Sequence, residues 1–231
     1  MPSSERIYHT LRQEILNLTL KPGQQLREDD LARRFGVSRS PVRAAVSRLS
    51  TEKLLRVEPR KGTFVTEIEM DYVRQLIFLR TSVELRMLPL LCQKRPTDLW
   101  NKMEENLERQ RLLLAGSFEP TQFYRLDNKF HEMYFNTMEL DAVWKLLQQF
   151  YVHYTRFRVL DMQRSGLFRQ FYEEHCQILE LMRKGQQEEL CSLMVQHLES
   201  PFERITGHSS KTSGLDSAEF VENISCNHAE N

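Results

Sequence analysis

The sequence predicts a mainly α-helical protein in which an N-terminal winged helix-turn-helix is followed by an all-helical bundle. The first supporting observation is the run GVSRSPVRAAVSRL at residues 36–49, which has the composition of a tight turn leading into a helix. The second is a strand-like alternation over residues 54–65. The third is the helical periodicity of residues 70–206, which contain no convincing strand.

A tight turn and a helix account for the run at residues 36–49. Gly36 can adopt a positive φ at no steric cost, while Ser40 and Pro41 suit the N-cap and the first helical position. Apolar residues at helical spacing then form an inward stripe of Val42, Ala45, Val46 and Leu49. This helix would be the second of a helix-turn-helix.

Basic residues lie off this inward stripe. Arg39 and Arg43 flank the helix N-terminus, which in a helix-turn-helix points at base edges and phosphates in the DNA major groove. Arg39, Ser40, Arg43 and Arg48 are therefore candidate DNA contacts. The alternative is a solvated helix face, and it stays open for Arg48 in particular.

The segments on either side complete a winged module. Upstream, apolar spacing predicts a first helix over residues 7–18, ended by Lys21-Pro22-Gly23, and a short second helix over residues 31–35. Downstream, residues 54–65 alternate like two strands about a turn. The basic tip of this β-wing, at Arg60, Lys61 and Gly62, can reach a groove or phosphates.

The formal charge is divided unevenly along the chain. Residues 1–67 contain 13 Lys and Arg against 8 Asp and Glu, whereas the remaining residues contain 19 against 24. The neutral total therefore conceals a basic N-terminal part, which is where a polyanion would bind.

Residues 5–67 resemble the DNA-binding domain of GntR-type bacterial repressors. The resemblance rests on LKPGQQLREDDLARRFGVSRSPVRAAVSRLSTEKLL and EPRKGTFV, whose order and spacing both agree. It implies that the partner is double-stranded DNA. The chain departs from the family pattern at Asp29, where members often carry Arg, at Ala44, where Glu is common, and at Lys53, where Gly is common. A carboxylate at a phosphate-facing position such as Asp29 would repel DNA.

Composition favours a cytoplasmic protein of one or two domains. The chain has 231 residues, no apolar run near the ~20 residues that span a bilayer, and no apolar signal-peptide core at its N-terminus. Its four cysteines show no paired spacing, so we expect free thiols.

Strand alternation gives way to helical periodicity near residues 67–71. We therefore expect a DNA-binding domain over residues 1–68, an all-helical domain over 69–206 and a polar, disordered tail over 207–231. Breaker residues divide the second domain into six predicted helices, over residues 70–94, 97–115, 119–137, 140–162, 166–184 and 186–206. Pro89 should kink or shorten the first of these.

Four ionisable residues occupy inward positions of the predicted helical domain. Asp127 and His131 are four residues apart, so both leave the same helix face, and His175 and His197 each take a core-facing position on a later helix. A buried carboxylate needs partners or a metal. One oxygen and three nitrogen ligands suit a divalent transition metal such as Zn²⁺ or Ni²⁺ better than Ca²⁺. On spacing alone, a hydrogen-bond network without metal stays open.

Arg80 lies on another inward stripe, in the first helix of this domain. Its guanidinium can bind a carboxylate through two hydrogen bonds. That carboxylate would belong to a ligand or to Glu84 one turn later, and both can hold at once. Tyr134 and His153 are further candidates for lining a ligand pocket.

Residues 70–206 resemble the FCD effector domain, which follows GntR-type DNA-binding domains in the FadR-like subfamily. The resemblance rests on LDNKFHEMYF, EEHCQILELMRKGQ and LMVQHLE, in that order. It implies that the metal is coordinated by Asp127, His131, His175 and His197. It also implies that Arg80, beside the metal, binds a carboxylate effector.

These features predict a metal-containing transcription regulator, of the repressor type, that binds a palindromic operator as a homodimer. A small organic acid that preferred one arrangement of the helical domain would change operator affinity. Two alternatives remain. One is a regulator with a purely structural metal and no effector, and the other, more remote, is a metal-dependent hydrolase. No membrane association is expected.

Overall fold

The structure is a computed structural model that describes residues 3–149 and 151–208. Most of the predicted polar tail, residues 209–231, lies outside the described residues. Within them are ten α-helices and one three-stranded sheet, which confirms the predicted fold class. In chain order the elements are α1 (Ser3–Leu16), β1 (Gln25–Leu26), α2 (Glu28–Phe35), α3 (Arg39–Thr51), β2 (Leu55–Glu58), β3 (Gly62–Val65), α4 (Met70–Lys94), α5 (Thr97–Leu114), α6 (Pro120–Thr137), α7 (Asp141–Gln149), α8 (Tyr151–Ser165), α9 (Phe168–Lys184) and α10 (Gln187–Thr206).

The described residues pack into two compact units. The first contains the residues up to Met70 together with Tyr151–Leu160, the larger part of α8, and the second contains the other described residues. The segment predicted as one helix over residues 140–162 is helical on both sides of residue 150, which lies outside the described residues: α7 covers Asp141–Gln149 and α8 covers Tyr151–Ser165.

Helices α1, α2 and α3 form the core of the first unit together with the sheet. Side chains predicted to point inward, among them Ile7, Leu11, Val42 and Leu49, are fully buried there. Strand β3 is central and pairs antiparallel with both β2 and β1. β2 and β3 are the predicted wing strands. β1 was not predicted, since two residues are too few for an alternation to reveal.

Helix α3 starts two residues earlier than predicted. Its first residue is Arg39 and its N-cap is Ser38, so the assignment of Ser40 as N-cap is wrong. Pro41 is tolerated because it still lies in the first turn, where backbone N–H groups have no acceptor within the helix.

Helix α1 also ends before the predicted boundary. Its last residue is Leu16, and Leu18 lies beyond it with a φ of 61°. The N–H of Leu20 donates to the carbonyl of Glu14 (3.0 Å) and so closes the helix. Leu18 is therefore a turn residue and not the last member of the helical stripe.

Two turns of the first unit need glycine. Gly36 ends α2 with a φ of 65°, which confirms the predicted positive φ, and Gly62 opens β3 with a φ of 124°. A Cβ on Gly62 would lie 2.7 Å from the side-chain nitrogen of Gln25. That nitrogen donates to the carbonyl of Lys61 (2.8 Å). Glycine thus permits both the turn and the close approach of Gln25.

Of the two effects predicted for Pro89, a kink or a shortening, the shortening does not occur, since α4 continues to Lys94. Leu91 and Cys92, which follow the proline, are buried. Their packing offsets the hydrogen bond that proline cannot donate. Within the described part of the chain, no helix combines the length and apolar character needed to cross a bilayer.

In the first unit, α8 holds the segment that follows the wing. Arg156 is fully buried, and its guanidinium donates to the carbonyl oxygens of Thr66 (2.6 Å) and Glu67 (2.9 Å). The Nδ1 atom of His153 accepts a hydrogen bond from the N–H of Glu69 (3.3 Å). Burial lowers the pKa of Arg156 to about 10. The guanidinium therefore keeps its charge at neutral pH.

Lys53 adopts a left-handed backbone conformation between α3 and β2. Its φ is 58°, and the N–H of the next residue, Leu54, donates a hydrogen bond to the carbonyl of Leu49 (2.9 Å). This geometry is typical of a helix end that favours glycine. The family that residues 5–67 resemble often carries glycine at this position.

Lys53→Gly should stabilise the protein by about 1 kcal/mol, because glycine adopts a left-handed conformation without the steric clash of a Cβ. Chemical denaturation followed by circular dichroism would measure the free energy of unfolding. Lys53→Ala is the control, since it removes the same charge and length but keeps the Cβ. A Gly variant no more stable than the Ala variant would contradict the prediction.

Candidate functional site

Two exposed arginines lie at the N-terminal end of α3, and each is paired with an acid at the start of α2. Arg39 contacts Asp29 through Nε (2.5 Å) and Nη2 (2.8 Å), and Arg43 contacts Glu28 through Nε (2.8 Å). The side chains of Arg39 and Arg43, here called the recognition arginines, are 59% and 63% exposed. Ser40, between them, is also exposed. The predicted DNA contacts at this helix end are therefore accessible.

Arg48 has different surroundings. Its guanidinium carbon lies 3.6 Å from the centre of the Tyr8 ring, and its Nη1 lies 2.9 Å from a carboxylate oxygen of Glu5. The cation–π contact and the ion pair both fasten α3 to α1. The structure therefore does not group Arg48 with the recognition arginines.

The wing carries an exposed basic tip. Arg60, Lys61 and Gly62 follow β2 and lead into β3, with Arg60 at a φ of 64°. The side chain of Lys61 is 75% exposed, and its Nζ lies 3.4 Å from Glu58. These residues are placed as the sequence predicted, at the end of a β-hairpin.

Four residues that the sequence predicted as metal ligands come together in the second unit. Asp127 and His131 are on α6, His175 is on α9 and His197 is on α10; we call these four the Asp/His cluster. All four side chains are fully buried. One potential ligand atom of each lies within 4.8 Å of the others. The arrangement could hold a metal ion.

The three histidines of the Asp/His cluster are each oriented by a hydrogen bond at Nδ1. The pairs are His131 with Glu84 (2.7 Å), His175 with Gln110 (2.9 Å) and His197 with Glu174 (2.6 Å). Each partner presents an oxygen to Nδ1, and with the proton on Nδ1 the lone pair of each ring is on Nε2. Sequence reasoning missed Gln110 and Glu174. A metal-bound histidine needs a partner at its other nitrogen, but no local pattern in the sequence shows which residue supplies it.

The Nε2 atoms converge on one small space. Those of His131 and His197 lie 3.2 Å apart, and Oδ1 of Asp127 lies 4.0 Å from the latter. Two lone pairs that face each other at this distance repel unless a proton or a cation lies between them. Zn²⁺ binds histidine nitrogen at about 2.0–2.1 Å, which puts neighbouring ligand atoms roughly 3 Å apart. The donor types and their spacing therefore fit a divalent transition metal.

Arg80 is linked to the Asp/His cluster through Glu84. Its Nε donates to Oε1 of Glu84 (2.5 Å), whose other oxygen accepts from His131. The internal ion pair that the sequence analysis left open is thus present. Burial raises the pKa of Glu84, and Arg80 opposes that rise. Burial also acts to raise the pKa of Glu174, but the hydrogen bonds from His197 and Gln170 and the charges of the nearby histidines together outweigh it, and the net pKa is lowered.

Tyr134 lies beside the cluster, with its ring centre 5.6 Å from that of His131. The side chain is fully buried, and its hydroxyl has no hydrogen-bond partner among the described residues. Burial, followed by the charge of Glu84, raises its pKa well above the usual value. Tyr134 is therefore a neutral donor whose hydrogen bond a ligand could accept. Leaving such a group unsatisfied is unfavourable.

His153 was the third residue predicted to line an effector pocket, and its place there stays a prediction. It belongs to the first unit, because the larger part of α8 packs with the residues up to Met70. There its ring accepts from the N–H of Glu69. Burial and the nearby Arg156 lower its pKa.

Two family models match the chain. One, described as "Bacterial regulatory proteins, gntR family", matches residues 3–65. The other, described as "FCD domain", matches residues 75–200.

Relatives over most of the chain are named as regulators. An uncharacterized HTH-type transcriptional regulator in an unstable DNA locus of Streptomyces ambofaciens is 32% identical over 215 residues, 92% of this chain and 90% of the relative. The HTH-type transcriptional repressor RspR of Escherichia coli (strain K12) is 26% identical over 204 residues, with 88% and 89% covered. Among solved structures, a putative transcriptional regulator GntR from Rhodococcus sp. RHA1 shares the fold, with a TM-score of 0.67 at 19% identity over 90% of this chain and 99% of that one.

Proposed function

Since the chain belongs to the GntR family of bacterial regulatory proteins and carries an FCD domain, we propose that it is a repressor controlled by a small carboxylate effector at a metal centre. The coarser statement follows from the family: the protein is a DNA-binding transcriptional regulator and not an enzyme. Family membership thus removes the metal-dependent hydrolase considered from the sequence. The observation that carries the finer proposal is the convergence of the Asp/His cluster.

The recognition arginines and the wing tip would bind the operator. An arginine can bind guanine through two hydrogen bonds in the major groove, while the exposed Lys61 suits a phosphate. Repression is supported by the name of RspR. A homodimer on a palindromic operator is supported by two adjacent exposed apolar side chains on α4, Phe78 and Leu79, which a second copy would cover.

The Asp/His cluster would hold one divalent transition metal, Zn²⁺ or Ni²⁺. Asp127 supplies an oxygen, and the three histidines supply Nε2 atoms already directed by their Nδ1 partners. Bound there, the metal would act as a Lewis acid for oxygen donors.

A small organic acid would bind beside this centre. Arg80 supplies a buried guanidinium that it would share between Glu84 and the ligand, and Tyr134 supplies a hydroxyl that lacks a partner among the described residues. Both groups favour a carboxylate over a neutral analogue. Binding that stabilised one arrangement of the helical unit would then alter operator affinity.

The second candidate is a regulator with a purely structural metal. It is favoured by the complete burial of all four residues and by the hydrogen bonds that hold the three histidines at Nδ1. Four protein ligands without an open position are typical of structural zinc sites.

The operator can be obtained by selection from random-sequence duplexes, and we expect it to be palindromic. Arg43→Ala should weaken operator binding by about 1–3 kcal/mol and relax specificity at one base pair. Lys61→Ala should weaken binding to all sequences. It should also make the slope of the logarithm of the binding constant against the logarithm of salt concentration shallower by about 0.9. Gel-shift titrations at several salt concentrations measure both. Arg111→Ala, in the second unit, is the charge-matched control, and operator binding unchanged in both test variants would contradict the placement.

Purified protein should contain about one transition-metal ion per chain, because the cluster forms a single site. Elemental analysis of protein never exposed to chelator measures this content. Chelation should then lower the thermal midpoint, and zinc or nickel should restore it. His197→Ala should lose the metal, whereas Tyr134→Phe should keep it. Metal-free wild-type protein would leave a hydrogen-bond network, without metal, as the role of the cluster.

Succinate, malate or citrate should raise the thermal midpoint of the metal-loaded protein, since a ligand at 100 times its Kd stabilises by about 2.7 kcal/mol. The corresponding amides should not, because they lack the charge that Arg80 binds. Arg80→Ala should abolish the response, while Arg80→Lys should keep only part of it, since a point charge cannot replace the planar fork. If no acid stabilised the wild type, the structural-metal candidate would hold instead.

A further inference from the structure

The recognition arginines are restrained by the helix that precedes them. Asp29 offers both carboxylate oxygens to Arg39, at 2.5 and 2.8 Å, and Glu28 offers one oxygen to Arg43 at 2.8 Å. The two acids are consecutive residues in the first turn of α2, and the two arginines are one helical turn apart on α3. One end of α2 therefore engages the two arginines that would enter the groove.

Such pairs matter more for DNA binding than for stability. Exposed ion pairs contribute little to the folded state. An arginine that neutralises a phosphate, however, releases a counterion, and this sequence-independent effect dominates non-specific affinity. An arginine already neutralised by a carboxylate adds no net charge at the DNA surface. The carboxylate itself also repels the phosphates.

Guanine offers a direct replacement for Asp29. The carboxylate presents two acceptors to Nε and Nη2 of Arg39, and guanine presents two acceptors, O6 and N7, in the major groove. Exchanging one pair of acceptors for the other keeps both hydrogen bonds of the guanidinium. A phosphate in DNA of arbitrary sequence would also have to displace the carboxylate of Asp29. No guanine edge would then replace the two hydrogen bonds that Arg39 loses.

We propose that Asp29 is a specificity-determining residue. Its carboxylate keeps Arg39 from binding phosphates and is displaced when Arg39 binds a guanine in the operator. The proposal rests on the proposed role of the recognition arginines in binding DNA. Asp29 acts mainly against non-specific binding, so its effect is on the ratio of operator affinity to random-sequence affinity. Glu28, which makes a single contact and is less exposed, acts in the same sense on Arg43.

Asp30, the next residue, provides a matched control. It pairs with Arg33 within α2 and is also exposed. Asp30→Asn therefore makes the same change in charge, one residue away, without altering the contact between Asp29 and Arg39. Both substitutions are at surface positions, so both variants should fold as the wild type does, which circular dichroism checks.

The experiment measures affinity for a random-sequence duplex and for the selected operator, each at several salt concentrations. Asp29→Asn should tighten random-sequence binding about fivefold to tenfold and steepen its salt slope by about 0.9, the value for one more neutralised phosphate. Operator affinity should change less than about twofold, so the specificity ratio falls by roughly the same five- to tenfold factor. Asp30→Asn should do markedly less. In an Arg39→Ala background, Asp29→Asn should have no more effect than Asp30→Asn.

Two outcomes would overturn the proposal. If Asp29→Asn and Asp30→Asn change random-sequence binding equally, the effect is one of net charge alone. If Asp29→Asn weakens the operator complex without tightening random-sequence binding, Asp29 makes a base contact and does not restrain Arg39. Both differ from failure of the proposed function, in which Arg39→Ala and Arg43→Ala would themselves bind the operator as the wild type does.

Discussion

The hydrogen bonds at the three Nδ1 atoms are the interaction on which the helical unit depends. Each one fixes a ring so that its Nε2 faces the other rings, which places lone pairs close together in a fully buried space. That arrangement is unfavourable by itself and needs a positive charge at its centre. A bundle of this kind is therefore built around a cation or a proton as much as around apolar packing. Helices α4, α5, α6, α9 and α10 each supply a member of the Asp/His cluster or a hydrogen-bond partner to one.

The sequence was informative about the cluster wherever a polar residue interrupted an apolar stripe. Asp127 and His131 could be located because one helical turn separates them on an otherwise buried face. The hydrogen-bond partners of the histidines could not be located in this way. Gln110 lies 65 residues from His175, and Glu84 lies 47 residues from His131. Local periodicity carries no information on which helices become neighbours, so such pairs emerge only from the packed fold.

In the first unit, the helices and the wing followed from spacing and turn residues, whereas their ends and surface pairs did not. Ser38 and Ser40 are equivalent as N-caps on composition, and the helix begins after the earlier one. The contacts of the recognition arginines with α2 depend on the angle between α2 and α3, and no pattern in the sequence indicates that angle. Arg48 was grouped with them by charge, but its position faces Tyr8.

The sharing of α8 between the two units bears on how such a protein can be divided. A fragment cut after residue 70 would contain every strand and every helix of the DNA-binding module, yet it would lack ten residues that pack with that module. The carbonyls of Thr66 and Glu67 would lose their guanidinium donor. Domain exchange between relatives would face the same obstacle, because the first unit is made of two separate segments of the sequence. A chimera would need a matching helix from its new C-terminal part.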